Sequence, residues 1–213
     1  MLKLKMLFAG ALAATTVLVS GSAVLPALFK PLAQFQVSSS QGQPAPKNTI
    51  LASPLSDALT RVTKKTFGLY VSPGHSPISP EKFRGYHTGV DFETFASEQG
   101  TDVSVSAVCD GPLLLKKWAT GYGGVAVQQC KIDGQNVTVI YGHLKSSSIR
   151  PKAHEQIKAG ESFAVLGKGF SHETDGERKH LHLGIHKGLS INILGYVQNK
   201  TNLAQWLDPL GYF

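Results

Sequence analysis

From about residue 66 onward, apolar and polar positions alternate over short distances, with no long stretch of helical period. The segments 102–108, 113–118, 124–132, 137–141, 162–166 and 181–186 are rich in β-branched or aromatic residues and bounded by Gly, Asp or Asn, the pattern of strands. Asp133-Gly134 lies between two of them and is a strong hairpin signal. At the last segment, alternation puts Leu181, Leu183 and Ile185 on one face and His180 and His182 on the other. The expected fold is therefore mainly β: a compact antiparallel β-sheet domain over residues 66–190, with few short helices. One such helix is expected over residues 54–62, with Ser53 as cap and Pro54 at the first helical position. Residues 191–213 form a C-terminal extension expected to pack on the domain, with a helical turn and an aromatic clasp within 202–213.

The N-terminus has a different pattern. Lys3 and Lys5 precede a nearly unbroken apolar run over residues 6–19, followed by the small residues Ser20, Gly21, Ser22 and Ala23, the layout of a secretory signal. Apolar character resumes through residue 29, and a span needs about 20 residues, so residues 1–29 are a signal peptide or an N-terminal membrane anchor. Either reading puts the rest of the chain outside the cytoplasm, in the cell envelope, either secreted or membrane-associated through this segment. Residues 30–65 read as a linker and pre-domain segment, with Ser, Gln, Pro and Ala prominent at 34–48.

Composition adds limits. An apolar fraction of 42% in 213 residues supplies one ordinary core. The formal charge is +7, and since no acid precedes Asp57, loss of residues 1–23 removes only two lysines and leaves 7 − 2 = +5. No basic run with interleaved aromatics and no nucleic-acid module is present, so a nucleic-acid partner is not expected, and an anionic envelope fits the charge. Cys109 and Cys130 flank a predicted hairpin. Three readings are open for them: a disulfide, which an oxidising compartment permits; two buried thiols; and metal ligation, which their wide spacing disfavours.

The histidines carry the chemistry. In Gly85-Tyr86-His87-Thr88-Gly89-Val90-Asp91-Phe92, His87 and Asp91 are four apart in a strand-like segment, where an ideal strand would separate them by about 13 Å. Zinc bonds to N and O are only about 2.0–2.2 Å, so both reach one ion only if the backbone bends, and Gly89 is the residue expected to permit a bulge or kink. In His180-Leu181-His182 the two rings share a face, at a spacing that lets one hold a metal while the other addresses a water. His186 lies further along that face, at the expected rim. In Val139-Ile140-Tyr141-Gly142-His143-Leu144 a histidine ends an apolar strand, where catalytic groups are often displayed. Imidazole and carboxylate donors suit zinc, and three protein ligands with a free position mark a catalytic rather than a structural site.

These motifs, in this order, resemble the lysostaphin/LytM-type zinc endopeptidases, the glycyl-glycine endopeptidase-like family. The resemblance runs from about Phe67-Gly68 to Gly184 and also includes Val105-Ser106-Ala107, Asp110-Gly111, Gly121-Tyr122-Gly123-Gly124, Ile157-Lys158-Ala159-Gly160-Glu161 and Leu166-Gly167. It implies a duplicated hybrid motif fold, His87, Asp91 and His182 as ligands of one catalytic Zn2+, and His143 and His180 as catalytic histidines. Two features depart from the family pattern, the cysteine pair and the charged segment 171–179, and either is expected to bear on the groove. The implied activity is that of an exported zinc metalloendopeptidase that hydrolyses peptidoglycan cross-links through a zinc-activated water, acting as a monomer on a wall peptide. Tyr70, Tyr86 and Tyr141 are possible further donors to the oxyanion, none of them singled out. The alternatives are a non-catalytic envelope protein that binds wall material or activates another hydrolase, and a protease of Gly-rich proteins.

Overall fold

Antiparallel pairing accounts for nearly all the regular structure in the computed structural model, which describes residues 49–213. The expected signal or anchor and the linker through residue 48 lie outside the described residues. In chain order the strands are β1 (Tyr70–Val71), β2 (Gly85–His87), β3 (Gly89–Glu93), β4 (Ser104–Ser106), β5 (Gly111–Ala119), β6 (Gly123–Ile132), β7 (Gln135–Leu144), β8 (Gln156–Ile157), β9 (Ser162–Val165), β10 (His180–Lys187), β11 (Tyr196–Val197) and β12 (Trp206–Leu207). The main sheet has the order β12-β10-β7-β6-β5-β8, with β3 also paired to β10. A smaller sheet has the order β1-β2-β11, and β4 pairs with β9.

The fold is thus mainly antiparallel β, as the alternation predicts. Asp133 and Gly134 both take positive φ, 48° and 77°, between the paired residues Ile132 and Gln135, which is the two-residue turn that matches strand twist. Leu181, Leu183 and Ile185 are fully buried in the main core with Val139, Tyr141 and Phe163. Burial of each Leu or Ile contributes roughly 1.5–3 kcal/mol, enough to fix the register of β10 and so the face on which its histidines stand.

The helix expected over 54–62 is reduced to a 3-10 turn at Ala58–Arg61. Asp57 before it is left-handed, at φ 52°, and Arg61 turns inward to Glu98, with N–O distances of 2.7 and 2.8 Å, and to the Ser56 carbonyl. These tertiary bonds outweigh a local helical preference of a few tenths of a kcal/mol per residue. At the C-terminus a helical turn falls at Lys200–Leu203, beginning before the 202–213 expected, and a 3-10 turn follows at Pro209–Tyr212, with Phe213 edge-on to Phe92 and the Leu51 amide bonded to the Tyr212 carbonyl at 2.8 Å.

Cys109 and Cys130 are joined in a disulfide inside the main core. Neither lines the cavity described below, so this departure from the family pattern acts on the core and not on the groove. A cross-link closing a separation of 21 residues restricts the unfolded chain by about 3 kcal/mol. Urea unfolding of a Cys109→Ala/Cys130→Ala variant should show a loss of that order with the fold retained. An unchanged midpoint would mean the bridge contributes nothing to stability.

Candidate metal centre

The register of β10 brings the distant motifs together. His182 pairs across from Asp91 of β3 on one side and Gly142 of β7 on the other. His87 ends β2, and at Thr88 the chain crosses from the small sheet to the main one. Thr88 anchors that crossing, its amide donating to the Gly195 carbonyl at 3.0 Å and its hydroxyl to the Leu194 carbonyl at 2.6 Å. The bend expected between His87 and Asp91 is therefore present, but Gly89 serves it differently. Its φ is not positive, and a Cβ there would collide with the Leu183 backbone and stand 2.9 Å from the His182 ring. Glycine is needed at this point for close approach of β3 to β10.

The preceding segment sets both side chains of the bent motif. The Asp91 amide donates to the Lys65 carbonyl at 3.0 Å, and His87 Nδ1 lies 3.1 Å from the Thr66 carbonyl. Because that carbonyl can only accept, His87 Nδ1 carries a proton, which leaves Nε2 as the ring nitrogen able to act as a ligand. This Nε2 is 2.9 Å from His182 Nδ1 and 3.2 Å from Asp91 Oδ1, and His182 Nδ1 is 3.2 Å from the same oxygen. Two donors about 2.0–2.2 Å from one ion at a tetrahedral angle are about 3.3–3.6 Å apart, so the triangle is close to one face of such a shell. His87, Asp91 and His182 are the group among the described residues that could hold a metal ion, at 0%, 2% and 3% exposure.

The electrostatics suit ligation. Burial, opposed by the Asp91 hydrogen bond, pushes the His182 ring down to about 4, so it is neutral near pH 7 with a lone pair to give. Burial alone would raise the Asp91 carboxyl. The neighbouring His180 and His87 rings, with hydrogen bonds from His180 and His182, outweigh that and hold it well below the usual carboxylate range.

Arg178, inside the charged segment 171–179, is a site residue that sequence reasoning did not single out. Its Nη2 donates to Asp91 Oδ2 at 2.8 Å, leaving Oδ1 for the triangle, and its Nε donates to both Glu93 oxygens, at 3.1 and 3.0 Å. The Arg178 carbonyl also accepts from His180 Nδ1 at 2.9 Å, which leaves His180 Nε2 facing the site, 3.3 Å from Asp91 Oδ2. One residue thus orients a carboxylate and an imidazole together. Outer partners of ligands typically change metal affinity 10–100-fold. An Arg178→Met variant, titrated with zinc against a fluorescent chelator, should bind in that range more weakly, and equal affinity would show that Asp91 is oriented without it.

His143, the last residue but one of β7, lies in the left-handed region at φ 62°, an uncommon backbone for a non-glycine residue and one in which histidine is enriched. Its ring centre is 4.2 Å from that of His180. Burial first, then the His180 charge, depresses the His143 ring well below the ordinary histidine range, although Asp91 opposes this. His186 instead packs edge-on against Trp206 and does not line the cavity.

A cavity of about 430 Å³ is lined by Asp91, Tyr122, His143, Arg178, His180 and His182, with Ile193 and Leu194 as an apolar lip. That volume suits a small ligand or a short peptide segment. None of the tyrosines named from sequence lines it. Tyr141 donates to Gln128 Oε1 in the core, and Tyr70 packs on Tyr86. Tyr122 and Tyr196 line it instead, and Tyr196 is tied by its hydroxyl to Lys65 at 2.8 Å. Tyr122 Oη, His143 Nδ1 and His182 Nε2 are buried without a hydrogen bond, a condition that costs roughly 1–3 kcal/mol per group. The signal for Tyr122 was its place in the glycine turn Gly121-Tyr122-Gly123-Gly124.

The model of peptidase family M23 matches residues 85–197, more than half of the chain, a range that includes His87, Asp91, His143, His180 and His182. No curated protein matches the sequence. Among solved structures, the chain is similar to Csd3 of Helicobacter pylori at 20% identity and a TM-score of 0.48, covering 78% of this chain and 35% of that one. It thus spans about a third of the Csd3 chain. It is similar to the catalytic domain of the antimicrobial peptidase lysostaphin from Staphylococcus simulans at 23% identity and a TM-score of 0.47, over 72% of this chain and 93% of that one. It also resembles the SpoIIQ-SpoIIIAH pore-forming complex at 15% identity and a TM-score of 0.51, covering 78% and 91% of the two chains. This last likeness is one of fold.

Proposed function

This chain belongs to peptidase family M23, and from that premise we propose that it is an exported zinc endopeptidase that cleaves peptide cross-links of peptidoglycan. The observation that carries the reading is the convergence of His87 Nε2, Asp91 Oδ1 and His182 Nδ1 to within 2.9–3.2 Å of one another, beside two further histidines on one cavity. Two imidazole nitrogens and one carboxylate oxygen form a set suited to zinc, with room for a further ligand. Bound there, zinc supplies Lewis acidity that polarises a carbonyl and acidifies water.

The chain's own residues supply the rest. His143, whose ring burial holds well below the ordinary histidine range, and His180 accept the proton of the attacking water and deliver one to the leaving amine. Arg178 keeps the His180 Nδ1 proton on the backbone side, so that Nε2 does this work. Ile193 and Leu194 give an extended peptide an apolar edge. Export is supported by the lysine-then-apolar N-terminus, and the basic net charge of +7 favours an anionic wall.

Mass spectrometry of muropeptides released from purified peptidoglycan tests the proposal, with a glycine-rich polypeptide digested alongside. The zinc-loaded protein should release products of cross-link cleavage, and the chelator-treated protein none. Zinc retention without release would favour the non-catalytic envelope reading, and cleavage of the polypeptide alone would favour the protease of Gly-rich proteins.

A further inference from the structure

The unpartnered phenol of Tyr122 has no place in the chemistry derived so far. Its ring is held on several sides. It rests on Gly142, where a Cβ would collide with it, and its centre is 5.4 Å from those of both His143 and His182. The turn that carries it is also fixed. The Gly121 amide donates to Asp175 Oδ2 at 2.7 Å, Trp118 Nε1 donates to the His172 carbonyl at 2.9 Å, and Gly123 packs so closely on Glu173 that no side chain would fit. The charged segment 171–179 thus docks on this turn as well as on Asp91.

The oxygen at the end of this braced ring stands 3.0 Å from the point where a Cβ on Gly195 would be, and both residues line the cavity. A phenol ordinarily titrates at about 10, so close to neutral pH the hydroxyl keeps its proton and is a donor. A rigid donor without an acceptor, beside the His143 ring and the His182 ring of the donor triangle, is the arrangement that stabilises charge appearing only in a transition state.

Resting on the proposed peptidase reading, we propose that Tyr122 is a catalytic residue whose phenolic O–H donates a hydrogen bond to the oxyanion of the tetrahedral intermediate. Water oxygen bonds to the scissile carbonyl carbon, and the carbonyl π pair moves to oxygen. His143 or His180 takes the water proton. When the carbonyl re-forms, the C–N bond breaks and the proton passes to the leaving amine. The Tyr122 proton stays on its own oxygen throughout.

Tyr122→Phe keeps the ring and its packing and removes only the donor. Relative to wild type, both zinc-loaded, kcat on purified peptidoglycan should fall about 100-fold with KM within about twofold, the signature of an interaction made only in the transition state. Zinc content and thermal midpoint should match wild type. Inorganic phosphate, a tetrahedral oxyanion, should bind the variant about tenfold more weakly by calorimetry. A kcat within about twofold of wild type, phosphate affinity equal in the two proteins or absent from both, or a rate loss tracking zinc loss overturns the assignment. A zinc-loaded wild type that releases nothing would instead bring down the peptidase reading, and this inference with it.

Discussion

A His182→Ala variant should lose both its metal and its activity while keeping its fold. The ring contributes one of three converging donors, and its strand is held by the opposite face, where Leu181 and Leu183 are fully buried. Removing the ring leaves Asp91 Oδ1 and His87 Nε2 as a two-donor site, too few to fix a catalytic ion against water. Metal per chain, measured by elemental mass spectrometry after exhaustive dialysis, should fall from one to near zero, with the far-ultraviolet spectrum unchanged and hydrolysis at background. Retention of one ion per chain would remove His182 from the ligand set.

The opposite split is expected two residues earlier. His180 Nε2 approaches Asp91 Oδ2, the oxygen taken by Arg178, and not the Oδ1 that faces His87 and His182. A His180→Ala variant should therefore keep its ion and lose turnover by about 10²–10⁴-fold, the usual worth of a positioned acid or base. If His180→Ala lost the metal and His182→Ala kept it, the two roles would have to be exchanged. Geometry separates them clearly, because alternation along β10 puts both rings on one face while cross-strand pairing sets only His182 opposite Asp91.

That separation shows what was legible in the sequence. Period-two alternation at 180–186 fixes which face is core and which is site, because a slip of one residue would expose Leu181, Leu183 and Ile185. The Asp133-Gly134 turn was legible for a similar local reason, as only such residues take two positive φ values readily. The bend after His87 was legible, but not its cause. Close approach of two strands depends on Leu183, which lies far along the chain from Gly89. Arg178 was visible only as part of a charged run, since its meaning comes from Asp91 and Glu93 across the fold. Tyr122 was hidden in a glycine turn that reads as a connection until segment 171–179 is docked on it. The helix expected at 54–62 failed because Arg61 finds Glu98, a partner no local pattern announces.

The convergence of His87, Asp91 and His182 on a single ion is the claim from which the rest follows. A crystal of the zinc-loaded protein measured at the zinc absorption edge tests it directly. One anomalous peak should stand about 2.0–2.2 Å from His87 Nε2, Asp91 Oδ1 and His182 Nδ1. A peak elsewhere on the molecule, or none in crystals grown with saturating zinc, would contradict it.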